Sequence, residues 1–121
     1  MKKIITLLLS FIFILSSCKK DENYPLPQDN GSLIITTNGM SFEPAVLNCN
    51  VGDVITFDLG SSHNAIEVSE QSYNASVYNP LENGFSFDFG ESGEFIPTEA
   101  KTYYYVCAPH LPDMKAIIVV Q

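Results

Sequence analysis

Eight consecutive residues near the C-terminal end concentrate most of the metal-binding chemistry this chain has to offer. Cys107-Ala108-Pro109-His110-Leu111-Pro112-Asp113-Met114 carries a thiol, an imidazole and a thioether. That donor set suits a copper ion in a trigonal site with a weak axial sulfur. Thiolate favours Cu(II) through a covalent bond, imidazole serves both oxidation states, and a thioether tolerates a long contact. An extended strand would point Cys107 and His110 to opposite faces, so a loop has to carry them. Pro109 and Pro112 stop strand pairing there and stiffen it. These donors leave one position open. The chain has two histidines, and the other, His63, stands in Gly60-Ser61-Ser62-His63-Asn64 at a junction between two strand-like runs. His63 is therefore the candidate for the remaining nitrogen. Asn64 is placed to hydrogen-bond the opposing ligand loop and hold the two together.

The cysteines offer a competing reading. In an oxidising compartment, Cys49 and Cys107 would ordinarily be expected to form a disulfide, and that bridge would abolish the site. Cys49, however, falls in phase with Leu47 and Val51 on what should be an inward strand face. It reads better as a buried free thiol packed as a small hydrophobe.

The elements that must position these residues are short strands. Ser32–Thr37 is β-branched and bounded by Gly31 and by the Asn38-Gly39 turn pair. Val46–Val51 follows Pro44, and Gly52-Asp53 turns the chain. Val54–Leu59 sets Ile55, Phe57 and Leu59 on one face and Val54, Thr56 and Asp58 on the other, as in a strand of a two-sheet sandwich. Ala65–Val68, the alternating Phe85, Phe87 and Phe89, Thr102–Cys107 and Lys115–Gln121 add further strands. Ser69–Asn83 is the least regular span and has room for a loop or a single helical turn. Tyr103, Phe57, Phe85, Phe87 and Phe89 are expected in the core. The pattern predicts an all-β domain of seven or eight strands, a β-sandwich or a Greek-key barrel.

Ahead of this domain, Lys2-Lys3 precedes a 12-residue apolar run, Ile4–Leu15, which is too short to span a bilayer and reads as an export signal. Leu15-Ser16-Ser17-Cys18 resembles a bacterial lipoprotein processing site, with Cys18 as the lipidated first residue of the mature chain. The polar, proline-containing stretch after it reads as a tether. Its opening Lys19-Lys20-Asp21-Glu22 resembles the charged stretch that routes some lipoproteins of Bacteroidetes-like bacteria to the outer face of the outer membrane. The expected organisation is a signal over 1–17, a lipidated cysteine and tether over 18–30, and a folded domain over 31–121. Removing 1–17 leaves four lysines against fourteen acidic residues, a balance of −10. That surface repels nucleic acid and favours positively charged partners.

Val51-Gly52-Asp53-Val54, Ser62-His63-Asn64, Tyr103-Tyr104-Tyr105-Val106-Cys107-Ala108-Pro109-His110 and Met114-Lys115 together resemble the cupredoxin family of type 1 blue copper proteins, in its plastocyanin and pseudoazurin branch. The resemblance implies one copper ion held strongly by His63, Cys107 and His110 and axially by Met114. It also implies an eight-strand Greek-key sandwich that shuttles electrons between larger redox enzymes. Two departures stand out. Three residues separate His110 from Met114 where the branch commonly has four, and Val106 occupies the place of the tyrosine that plant plastocyanins use as a remote electron port.

The leading functional expectation is therefore a monomeric one-electron carrier, not an enzyme, lipid-anchored in the cell envelope on a periplasmic or surface-exposed face. Its partner would be a basic redox protein, such as a cytochrome or a copper or haem reductase or oxidase. Pro109, Leu111 and Pro112 would form an apolar patch around the His110 edge. The alternative is a copper-holding or delivery protein, against which the mature chain offers only Met40 and Met114 as thioethers. A plain adhesion sandwich would leave the Cys107–Met114 cluster unexplained. Hydrolysis lacks an acid at an informative spacing from Ser61 or Ser62, and an oxidase would need spare histidines.

Overall fold

The computed structural model describes residues 33–121. The expected signal segment, Cys18, the tether and the domain's first residues, Gly31 and Ser32, lie outside the described residues. Among the described residues there are nine strands: β1 (Ile34–Asn38), β2 (Ser41–Glu43), β3 (Val46–Cys49), β4 (Ile55–Asp58), β5 (Ala65–Val68), β6 (Ser86–Phe87), β7 (Ser92–Phe95), β8 (Thr102–Val106) and β9 (Lys115–Val120). Helix α1 (Glu70–Ala75) lies between β5 and β6, and a 3-10 turn (Ala108–His110) lies between β8 and β9. One sheet runs β2-β1-β4-β7 and the other β3-β9-β8-β5-β6.

Alternation explains the sandwich. On β4 Ile55 and Phe57 are wholly buried while Asp58 is exposed, and on β9 Ala116, Ile118 and Val120 face inward. Phe57 sits among rings from the opposing sheet, stacked on Phe87 with centroids 4.5 Å apart and edge-on to Tyr105 at 5.5 Å. Phe42, on the same sheet as Phe57, also packs against Tyr105, with centroids 4.7 Å apart. Such offset and edge contacts add to the burial of the rings themselves. Helix α1 occupies part of the span that the sequence left irregular. The Ser69 Oγ caps it by accepting the Ser72 N–H at 3.1 Å, and Ser76 ends it in the left-handed region at φ 54°. Lys115 anchors the exit, its Nζ donating to the Tyr73 carbonyl at 2.8 Å and to Ser76 Oγ at 3.0 Å.

The strand count exceeds the expected seven or eight. Pro44 separates β2 from β3, and β7 comes from Ser92-Gly93-Glu94-Phe95, which has little apolar alternation to announce it. Two side chains expected inside are outside. Phe89 is 53% exposed because the chain turns at Asp88–Gly90, with Gly90 at φ 66°, and breaks the alternation begun by Phe85 and Phe87. Val51 is exposed because the strand ends at Cys49. The Asp53 carboxylate accepts the Asn50 N–H at 2.7 Å, and Gly52 turns at φ 88°.

β5 and β8 are antiparallel, with Ile66 opposite Val106. The start of β5 and the end of β8 therefore lie at the same end of the sandwich, and so do the connections that carry His63 and Cys107. Because Phe57 is central and Phe89 peripheral, Phe57→Ala should cost about 3–5 kcal/mol and Phe89→Ala no more than about 0.5 kcal/mol. Denaturant unfolding of the two variants checks this contrast.

Candidate metal centre

Cys107 stands where β8 stops. Its N–H donates to the Met114 carbonyl at 3.0 Å and closes the loop at its neck. Inside, the His110 N–H donates to the Cys107 carbonyl at 3.2 Å, while the Asp113 and Met114 N–H groups both donate to the His110 carbonyl, at 3.0 and 2.9 Å. The three-residue spacing between His110 and Met114 is thus absorbed in two tight turns. The 3-10 turn swings His110 back over the thiol, leaving its Nδ1 3.3 Å from Cys107 Sγ.

His63 arrives from the β4–β5 connection. Its N–H donates to the Gly60 carbonyl at 2.9 Å and its own carbonyl accepts the Gly90 N–H at 3.2 Å. The end of β1 supports the same connection, since Thr37 Oγ1 accepts the Gly60 N–H at 2.9 Å. A Cβ on Gly60 would stand 3.0 Å from Thr37 Oγ1 and 3.3 Å from the imidazole Cδ2 of His63. Glycine is what lets the ring pack there. Sequence reasoning passed over Thr37, Gly60 and Gly90, and a glycine at the exit of a strand leading to a candidate ligand was the available signal.

The three donor atoms converge. His63 Nδ1 is 3.2 Å from His110 Nδ1 and 3.8 Å from Cys107 Sγ. With the 3.3 Å third side, the point equidistant from all three lies about 2.0 Å from each, which matches the bonds of a first-row metal to imidazole and falls somewhat short of a metal–thiolate bond. Donor atoms this close share protons when no metal is present, and a cation between them would engage all three. Two nitrogens and one sulfur in this arrangement fit a mononuclear copper ion. Met114, on the same loop, is wholly buried as a member of the hydrophobic core.

Burial sets the electrostatics. Desolvation pushes the His63 imidazole below its ordinary value, and the neighbouring His110 adds to this. Burial pushes the Cys107 thiol up, partly offset by the amides of Asn64 and His110. His63 is therefore ready as a neutral ligand, whereas metal entry must release the thiol proton. Cys107 is wholly buried and His63 nearly so, while His110 is half-buried and reaches solvent. Pro109 and Pro112 beside it are exposed and Leu111 is half-buried. Asn64 sits where the sequence suggested, its buried Oδ1 accepting the Ala108 N–H at 2.9 Å across the two loops.

Cys49 and Cys107 are both buried and unbridged. Cys49 pairs with Val120, at the far end of β9 from Met114. Six residues of strand put it about 20 Å from the metal end, far beyond the span of a disulfide.

A family model for copper-binding proteins of the plastocyanin/azurin family matches residues 30–121. Among solved structures, a pseudoazurin from Sinorhizobium is similar at 25% identity and a TM-score of 0.57, over 73% of this chain and 72% of that one. A reduced amicyanin variant aligns at 26% identity and a TM-score of 0.55, over 75% of this chain and 83% of its own. Another amicyanin variant, in its reduced Cu(I) form, gives 27% identity with the same TM-score and coverage. No curated protein sequence matches the chain.

Asn64→Ala would strip the Ala108 N–H of its acceptor. It should cost about 1–3 kcal/mol of metal-free stability and weaken metal binding about 10–100-fold. Denaturation of the apoprotein and a competitive copper titration check the two effects separately.

Proposed function

The chain belongs to the plastocyanin/azurin family of copper-binding proteins, and we propose that it carries single electrons through one type 1 copper ion held by His63, Cys107 and His110, with Met114 as a weak axial donor. The observation that carries this reading is the convergence of one sulfur and two imidazole nitrogens on a point about 2.0 Å from each. Copper bound there supplies a Cu(II)/Cu(I) couple, and no bond-making chemistry is required of the protein.

The rest falls to the chain's own residues. The Asn64–Ala108 hydrogen bond and the turns within the Cys107–Met114 loop fix the donors before metal arrives, so little has to move when the charge at the site changes. Burial of Cys107 and Met114 excludes water. The same burial argues against ready hand-over of the ion and favours a carrier over a copper-delivery protein.

His110 is the path to the surface. Pro109, Leu111 and Pro112 frame its edge with apolar side chains that a partner can approach without desolvating a charge. Phe89, next to the Gly90 that bonds the His63 carbonyl, and Met40, in the turn beyond Thr37, add exposed apolar area at the same end. The partner in this reading is a basic redox protein, a cytochrome or a copper or haem reductase or oxidase. The −10 balance downstream of residue 17 draws it in at long range. Export through residues 1–17, a lipid on Cys18 and the tether to residue 30 would hold a monomer at the cell envelope, in the outer membrane, where only small and transient contacts are needed.

Cys107→Ser should bind copper without the intense visible band of the wild type, and an unchanged spectrum would sink the copper–thiolate assignment. Leu111→Asp should keep that spectrum and slow exchange with the partner in stopped-flow measurements. Raising the ionic strength should weaken only the steering contribution.

A further inference from the structure

Glu67 is unusual for a residue of a sheet interior. It alternates with Ile66 and Val68 on β5, which puts it on the same face as the core residue Ala65 and opposite Tyr105 of β8. Glu67 is only 6% exposed, and a carboxylate so placed is costly unless its oxygens are engaged. One oxygen is: Oε2 accepts the Phe85 N–H at 3.0 Å. Among the described residues the other has no hydrogen-bond donor; it is not among the fully buried atoms, and Glu67 borders an open groove of about 450 Å³ through which solvent or a ligand can reach it. Gly84 leaves it room, since a Cβ there would lie 3.1 Å from Glu67 Oε2 and 3.0 Å from Glu67 Cβ.

The groove has a definite chemistry. Its floor is aromatic, with Phe85 on Phe95 at 4.6 Å and Phe95 edge-on to Tyr103 at 5.1 Å. Its charged lining is Glu67, Glu82 and Glu99 against Lys101 alone. Lys101 already displays the preference of the rim, its Nζ 4.6 Å above the Tyr103 ring and 3.5 Å from Glu99. An aromatic face beside a carboxylate is an arrangement that attracts cations. The groove also lies away from the copper ligands, because Lys101 and Tyr103 stand at the beginning of β8 and Cys107 follows its end.

We propose that this groove binds an organic cation, with an ammonium or guanidinium head on the free oxygen of Glu67 and an apolar stem on the Phe85–Phe95–Tyr103 floor. A free small molecule or an arginine or lysine side chain of a partner protein would bring the same chemistry. Binding here leaves the His110 edge open, so the site is independent of the electron-transfer reading.

The test is a titration of the 15N-labelled full chain with N-butylguanidinium chloride, followed through the Gly84 and Phe85 amides. N-butylurea serves as the neutral isostere, and a blocked Gly-Arg-Gly peptide represents a protein side chain. The expected result is saturable shifts with butylguanidinium and none with butylurea. Glu67→Gln, which keeps an acceptor for the Phe85 N–H, should weaken binding about tenfold. Lys101→Ala, which removes the competing ammonium, should tighten it about threefold. That opposite sign is not expected of residues with a merely structural role, and it keeps the test decisive if Glu67→Gln fails to fold. Saturation by the peptide at equal or lower concentration identifies a protein side chain as the occupant, and saturation by butylguanidinium alone identifies a free cation. Equal shifts with butylurea, no saturation, or unchanged affinities in both variants would overturn the proposal and leave the copper site untouched.

Discussion

The hydrogen bond from the Ala108 N–H to Asn64 Oδ1 joins two loops whose bonded residues are 44 positions apart in the chain, and the candidate site depends on that junction. One loop brings a single imidazole and the other brings the thiol and the second imidazole. Neither is a binding site alone. Sheet pairing between β5 and β8 delivers both loops to one end of the sandwich, but pairing sets position only to within the freedom of a loop. The 2.9 Å contact removes that freedom, and the neck between Cys107 and Met114 removes what remains on the other side. Donor atoms fixed in advance bind without a further ordering cost.

Much of this was legible in the sequence because the signals were local. The apolar alternation of Ile55, Phe57 and Leu59 survives intact in the core. The crowding of sulfur and nitrogen donors into Cys107–Met114 needed no tertiary information to be noticed. His63 followed from scarcity, being the only other histidine. What escaped depended on where a turn falls or on contacts remote in sequence. Phe89 keeps the phase of Phe85 and Phe87 in the sequence and loses it to the left-handed Gly90. Val51 loses its phase to the Asn50–Asp53 turn. The support of His63 by Thr37 and Gly60 joins residues that no periodicity connects. β7 pairs along β4 through its backbone and carries too little apolar pattern to announce itself.

The two ends of the molecule have different chemistry. At the end that carries the candidate site, Pro109, Pro112 and the acidic Asp113 are exposed on the loop of a half-buried imidazole, and Phe89 and Met40 are exposed on turns at the same end. The start of β8, at the other end, gathers carboxylates over aromatic rings. Tyr105 belongs to neither. Its hydroxyl is buried in the core without a hydrogen-bond partner among the described residues, and desolvation raises its pKa. The protonated hydroxyl is therefore strongly favoured.

X-ray absorption at the copper edge of the copper-loaded chain tests the central claim most directly. One ion per chain is expected, with a short first shell of two imidazole nitrogens and one sulfur at about 2.0–2.3 Å and the sulfur contribution lost in Cys107→Ser. A first shell of nitrogen and oxygen alone, or one unaltered in Cys107→Ser, would contradict it.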